Sequence, residues 1–255
     1  MATAGNHLIE LLPRNSRRCL LAVCVPVELT LGEVLYERGS ATRHVYFPVD
    51  GFISLVARID HHPGLEVGMV GREGMLGLHL ALDVVIAPLH ALVQGAGASW
   101  RVAATDFRRE LARGPALRNV LNRYTHVSMS QLAASAACLR FHQIGPRLAR
   151  WLLMSQDRAH ADSFKVTQEF LAYMLGVRRV GITLAASDLQ RTGLIEYSRG
   201  NLKVLDRPGL EAMACACYAA DSRSYNGLLR RAPRQPPGVI PAGPGEGDGR
   251  RAGSN

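Results

Sequence analysis

The segment from Val166 to Leu205 restricts what this chain can fold into more than any other stretch of it. Thr167 can cap a helix whose apolar positions are Phe170, Leu171 and Met174. Gly176 then allows the left-handed turn that ends a helix tightly. A second helix is expected from about Arg179 to Arg191, burying Val180, Ile182, Leu184 or Ala185, and Leu189, with Thr192-Gly193 closing it. Ile195 to Ser198, a turn at Arg199-Gly200-Asn201, and Leu202 to Leu205 complete a two-strand hairpin with a basic tip. Helix, glycine turn, helix and basic-tipped hairpin is the order of a winged helix-turn-helix.

That order suits double-stranded DNA. A short turn sets two helices at a steep angle, so that one enters the major groove while the other crosses the backbone. Arg178 and Arg179 then stand at the N-terminal end of the recognition helix, where side chains reach guanine edges or phosphates, and Arg199 and Lys203 on the wing reach phosphates. The expected DNA-binding set is Thr167, Gln168, Arg178, Arg179, Thr183, Arg199 and Lys203. One competing reading is an ordinary helical hairpin with a solvated basic face; another is a small-molecule- or signal-binding module whose helix-turn-helix contacts a protein partner rather than DNA.

Upstream, from about Leu29 to Val102, short apolar runs are cut by glycine, with turn residues every 8–12 positions, as in an antiparallel β sandwich or barrel. After Pro115 the pattern changes. Ala116 to Leu139 contains no glycine or proline, and Leu117, Leu121, Tyr124, Val127 or Ser128, Gln131, Ser135 and Cys138 recur every three to four residues. This predicts a helix of roughly 24 residues, about 36 Å long. Its stripe is rich in small residues, and a small β domain offers little width to cover it, so Leu117, Leu121, Tyr124, Val127, Ser128, Gln131 and Ser135 are assigned to a dimer seam. A further helix follows Pro146 through Met154, with Leu148, Trp151 and Leu152 on one side and Arg147 and Arg150 on the other. From about Ala232 the chain turns to Pro, Gly and Arg, and 232–255 is read as a disordered tail.

These features resemble the Crp/Fnr superfamily of bacterial transcription regulators over about residues 8–218. Leu31-Gly32-Glu33-Val34-Leu35-Tyr36-Glu37-Arg38-Gly39 is similar to the first strands and glycine turn of that family's cyclic-nucleotide-binding-type β-roll. Val45 to Leu55 resembles its next hairpin, and the long helix falls at its dimerisation helix. The resemblance implies an α+β fold. An N-terminal antiparallel β-roll of the double-stranded β-helix type occupies 1–110 as a sensor, a dimerisation helix 111–140, and a C-terminal winged helix-turn-helix 141–220. It implies a homodimer on a two-fold symmetric DNA site, with RNA polymerase as a further partner, in the cytoplasm.

The chain departs from the family in two places. Cyclic-nucleotide-binding members hold the ribose with a Gly-Glu pair and the phosphate with an arginine in a Pro-Arg-x-Ala segment. Here the matching stretches are Val70-Gly71-Arg72-Glu73-Gly74-Met75 and Pro88-Leu89-His90-Ala91, with Leu89 where the arginine should stand. A cyclic phosphate there loses a charge-assisted pair of roughly 1.5–3 kcal/mol, so cyclic AMP is not expected in the usual mode. Gly71, Arg72, Glu73 and His90 are the candidate effector residues, and no cofactor is expected. On the recognition helix Arg178 replaces the family's capping serine, Val180 its glutamate and Leu184 its later arginine, with Arg179 alone retained, so the family's operator sequence does not carry over.

Charge and cysteines agree with this picture. The net charge is +9, but only Lys165 and Lys203 are lysines, and residues 1–114 carry 11 basic and 11 acidic groups, so the whole excess lies C-terminal to them. The five cysteines are scattered without a CxxC pair, which argues against both a disulfide framework and a structural zinc site; no metal is expected. Cys215 and Cys217 are read as small buried residues, with a thiol switch as the alternative, and His79 or His142 as a haem ligand is the least favoured reading. No apolar segment suits a secretory signal or a membrane span. No nucleophile–base pair, paired carboxylates or P-loop points to an enzyme.

Overall fold

The computed structural model describes residues 4–59, 64–159 and 161–229. The 232–255 segment read as a tail lies outside them. Two short helices that the apolar pattern did not announce, α1 (His7–Leu11) and α2 (Arg14–Ala22), lead the chain. Asn6 caps α1 by accepting from the backbone N–H groups of Leu8 and Ile9. Its amide donates to the carbonyls of Pro48 and Gly74 at 2.9 Å each, so this fully buried amide is satisfied and pins α1 to the β domain.

Seven strands follow: β1 (Val25–Leu29), β2 (Val34–Tyr36), β3 (His44–Pro48), β4 (Phe52–Ala57), β5 (Leu65–Val70), β6 (His90–Gly95) and β7 (Gly97–Ala103). They form two antiparallel sheets, β2-β6-β4-β5 and β1-β7-β3. Ile53, Val70, Ala91 and Val93 are buried together with Leu29 and Tyr36. The glycine-cut apolar runs are thus the strands of an antiparallel β domain, and with the helices that follow they give the expected α+β fold.

α3 (Ala104–Ala112) leads into α4 (Pro115–Phe141), which has Pro115 in its first turn and runs 27 residues. Its inner face settles the environment of the residues assigned to a dimer seam. Leu117, Leu121, Tyr124 and Val127 are buried in their own chain, in a core with Leu8, Phe47, Met75, Leu80 and Phe107. Ser128 lines a cavity against the β domain. The Ser135 hydroxyl accepts from Arg150, and Gln131 faces a cleft shared with Asp221 and Tyr225. α1 widens the β domain and a C-terminal helix covers another face of α4, so the β domain is not too narrow to cover these residues. The stripe left exposed carries Met129, Leu132 and Phe141, with Ala133, Ala136 and Ala137 among them.

The C-terminal half consists of α5 (Ile144–Ala159), β8 (Ser163–Lys165), α6 (Gln168–Leu175), α7 (Arg179–Arg191), β9 (Ile195–Ser198), β10 (Asn201–Val204), α8 (Arg207–Met213) and α9 (Cys217–Leu229). Leu148, Leu152, Leu171, Ile182, Leu189, Leu202 and Leu210 form its core, joined by Phe52 and Met69 of the β domain. α9 lies along α4, buries Leu229 in the N-terminal core, and donates from the Tyr225 hydroxyl to the Glu73 carbonyl at 2.7 Å. Arg147 and Arg150, on the side of α5 opposite Leu148, Trp151 and Leu152, are both buried as well. Arg147 donates to the Leu175 carbonyl, filling an acceptor that the end of α6 leaves open. Arg150 pairs with Asp221 of α9 at 2.7 Å.

Candidate nucleic-acid interface

The helix-turn-helix forms where the local pattern placed it. The Thr167 hydroxyl accepts from the Phe170 backbone N–H at 3.1 Å and starts α6. Gly176 ends α6 at φ +61° and ψ +41°, where any side chain is strained and a Cβ would stand 2.6 Å from Leu65 Cδ1 of the β domain. Across this turn α6 and α7 are bent by 110°, within the range of such motifs. Thr183 of α7 donates to the side-chain oxygen of Gln168 at 2.7 Å, bracing the start of α6 against α7.

On α7 only Ile182, Ala186 and Leu189 are buried. The expectation that Val180 sits in the core is corrected, and of Leu184 or Ala185 it is the half-buried Ala185 that packs against the core: Val180 and Leu184 are 63% and 67% exposed. Ala186, one turn beyond Ile182, fills the core position instead, because a short α7 packing on α5 buries one narrow stripe. Arg178, Arg179, Val180, Thr183 and Leu184 therefore share an open surface at the N-terminal end of α7.

The wing is the β9–β10 hairpin, whose closing pair is Ser198 and Asn201. Its loop is thus Arg199-Gly200, one residue shorter than the three-residue turn expected, because Asn201 already pairs in the ladder. Both loop residues have positive φ, +50° and +80°, the signature of a tight two-residue hairpin. Arg199 and Lys203 are exposed, and β8 adds a third strand beside β10.

The four candidate effector residues are not brought together. Gly71 packs against α5, where a Cβ would meet Arg158 Cγ at 2.6 Å, and Glu73 pairs with Arg158 Nε at 2.8 Å. Arg72 faces the cleft between α5 and α9. His90 is buried elsewhere on the sheet: its Nδ1 donates to Glu37 at 3.0 Å and its Nε2 accepts from Arg58 at 3.3 Å. The glycines and acids that match a nucleotide-binding motif serve here to join β5 to the C-terminal half. A separate cavity of about 240 Å³ lies between the β domain and α4, lined among others by Val70, Met75, Leu89, Tyr124, Met129 and Leu132. Among the described residues no Lys or Arg lines it, and Leu89 stands on its wall.

The β domain also touches the helix-turn-helix half through Glu66. Its carboxylate accepts from Trp151 Nε1 of α5 at 2.9 Å and from the Ser54 hydroxyl. Burial pushes the Glu66 carboxyl up to about 7, opposed by those two hydrogen bonds and by Arg158 and Arg150. In the unfolded chain the same acid titrates near 4.3. The folded protein therefore holds the proton more tightly, and the associated stability, complete below about pH 4, is lost as the pH rises through about 7. Glu66→Gln, whose amide oxygen can accept from Trp151 while its NH2 donates to the Ser54 hydroxyl oxygen, is expected to flatten the denaturation free energy between about pH 5 and 8 and to stabilise the chain at pH 8 by on the order of 1–3 kcal/mol. Urea titrations of both proteins at a series of pH values check this; parallel curves would mean Glu66 titrates normally.

Comparison with known proteins agrees with this geometry. Residues 146–213 match the family model of the Crp-like helix-turn-helix domain. No curated protein sequence matches the chain. Among solved structures, it is similar to a transcriptional regulator assigned to the Crp/Fnr family from Eubacterium rectale (17% identity, TM-score 0.63, 83% of this chain and 99% of that one). It is also similar to FixK2 from Bradyrhizobium japonicum (16%, 0.63, 76% and 98%) and to the c-di-GMP-responsive global regulator CLP from Xanthomonas campestris (15%, 0.62, 76% and 100%). The chain therefore has the fold of the Crp/Fnr transcription regulators and carries their Crp-like helix-turn-helix domain at its C-terminal side.

Proposed function

We propose that this protein is a sequence-specific, DNA-binding transcription regulator that acts as a homodimer on a two-fold symmetric site. The observation that carries the reading is the open N-terminal end of α7, set at 110° to α6 beside a basic hairpin. Arg179 reads a base edge, Arg178, Arg199 and Lys203 meet phosphates, and Thr167 and Gln168 position α6 on the backbone. Val180 and Leu184 project where a thymine methyl group gives apolar contact, so the preferred half-site contains an A·T pair under α7. In this reading residues 1–110 sense, 111–140 hold the two copies together, and 141–220 bind DNA.

A DNA-binding assay across salt tests the reading. Affinity is expected to fall by about 10³–10⁵ between about 50 and 200 mM salt if roughly six to ten phosphates are contacted. Arg179→Ala is expected to reduce discrimination between the selected site and random DNA by about 1–3 kcal/mol. Equal weakening on both would make Arg179 a phosphate contact, and absence of any selected sequence would end the proposal.

The effector proposed for the cavity against α4 is small, apolar and uncharged. A cyclic nucleotide in this cavity would find no Lys or Arg on its wall among the described residues, and the uncompensated phosphate charge opposes binding. Because Met129 and Leu132 belong both to the cavity wall and to the exposed stripe of α4, a ligand there would act directly on the surface proposed to join the two copies.

A further inference from the structure

Three cysteines and a histidine that DNA binding does not use converge where the long helix hands over to the C-terminal half. Cys138 and His142 are one turn apart at the end of α4, and Cys215 and Cys217 flank Ala216 in the link from α8 to α9. Cys138 Sγ lies 3.5 Å from Cys215 Sγ, and Cys217 Sγ lies 3.6 Å from His142 Nδ1. All four potential ligand atoms fall within 4.8 Å of one another.

These separations are those of a tetrahedral metal site. With metal–sulfur bonds of about 2.3 Å and metal–nitrogen bonds of about 2.0–2.1 Å, tetrahedral angles put two sulfurs about 3.8 Å apart and sulfur and nitrogen about 3.5 Å apart. Three thiolates and one imidazole make a closed structural set with no position left for substrate, and soft sulfur selects a thiophilic ion.

Charge supplies a second, independent observation. Arg147 is buried, its guanidinium donates to a carbonyl, and among the described residues no carboxylate pairs with it. Arg147 lines the same pocket as Cys138. A divalent ion held by three thiolates and a neutral imidazole carries one net negative charge, the partner this buried cation lacks. A bound cation would displace the three thiol protons to solvent.

We propose that Cys138, His142, Cys215 and Cys217 form a structural zinc site. It ties the end of α4 to the segment that leaves the helix-turn-helix domain, and so fixes the α4–α5 junction from which both DNA-reading helices are aimed. α9 starts at the site and returns along α4.

Metal analysis of the full chain purified from zinc-replete medium without chelator tests the site. One zinc per chain is expected, released when the thiols are modified. Cobalt(II) in its place should give the intense visible bands of tetrahedral thiolate coordination. Cys217→Ser and His142→Ala, at half-buried positions, are expected to lower the zinc content several-fold while far-ultraviolet circular dichroism stays unchanged; Cys19→Ser is expected to retain it. A folded chain that takes up neither zinc nor cobalt on reconstitution overturns the proposal. So would zinc content indifferent to Cys217→Ser and His142→Ala together, or a Cys138–Cys215 disulfide in the natively purified protein.

Discussion

The double substitution Ala133→Glu and Ala136→Glu is expected to leave each chain folded and to turn the proposed dimer into a monomer in sedimentation equilibrium at micromolar concentration. Both alanines are exposed on α4 and touch neither its own core nor the apolar cavity, so the fold has no stake in them. They lie on the stripe of Met129, Leu132 and Phe141, which are 65%, 40% and 76% exposed. Small residues let two helix backbones approach closely, and a two-fold axis brings each introduced carboxylate near its own copy. Burying like charges there is strongly unfavourable. A monomer reads one half-site only, and affinity for the full site is expected to fall on the order of 10³-fold or more, toward the non-specific level. A dimer that persists would place the seam elsewhere on the molecule.

Arg150→Ala is expected to cost about 3–5 kcal/mol of folding stability, a large part of the roughly 5–15 kcal/mol a domain possesses. Arg150 and Asp221 have side chains only 9% and 11% exposed and meet at 2.7 Å, joining α5 to α9. Burial pushes the Asp221 carboxyl up, and Arg150 is the principal group holding it down. Removing the guanidinium leaves a carboxylate out of water without its cation, and the cost is that penalty more than the worth of the pair. The double change Arg150→Met with Asp221→Leu is therefore expected to be far milder than Arg150→Ala alone. Urea denaturation of the four proteins of this cycle gives the coupling. A single-mutant loss below about 1 kcal/mol would mean that water reaches Asp221.

The DNA-binding segment was legible because each of its determinants acts over a few residues. A threonine cap, a left-handed glycine, an apolar repeat and a two-residue turn fix backbone conformation locally, and α6, α7 and the wing fell within a residue or so of where they were expected. The strands from β3 to β5 were legible for the same reason. Reading failed where a residue's role depends on what arrives from far along the chain. Leu117, Leu121, Tyr124 and Val127 have helical spacing whether they face a second copy or their own core, and Val180 and Leu184 are apolar whether they face α5 or DNA.

The cysteines show the same limit. CxxC spacing does not reveal the cluster because its four side chains come from two segments more than 70 residues apart, a one-turn Cys-to-His spacing on α4 and a Cys-Ala-Cys link. The one-turn spacing was visible in the sequence, but only folding brings the second pair to it. By itself, then, the sequence determined the elements and the reading head of this protein, since local backbone chemistry decides those. Tertiary structure alone decided which face of α4 is free, which arginines are buried with which partners, and where the thiols meet. Those depend on α9 returning along α4, a contact between chain segments nearly a hundred residues apart that no local pattern encodes.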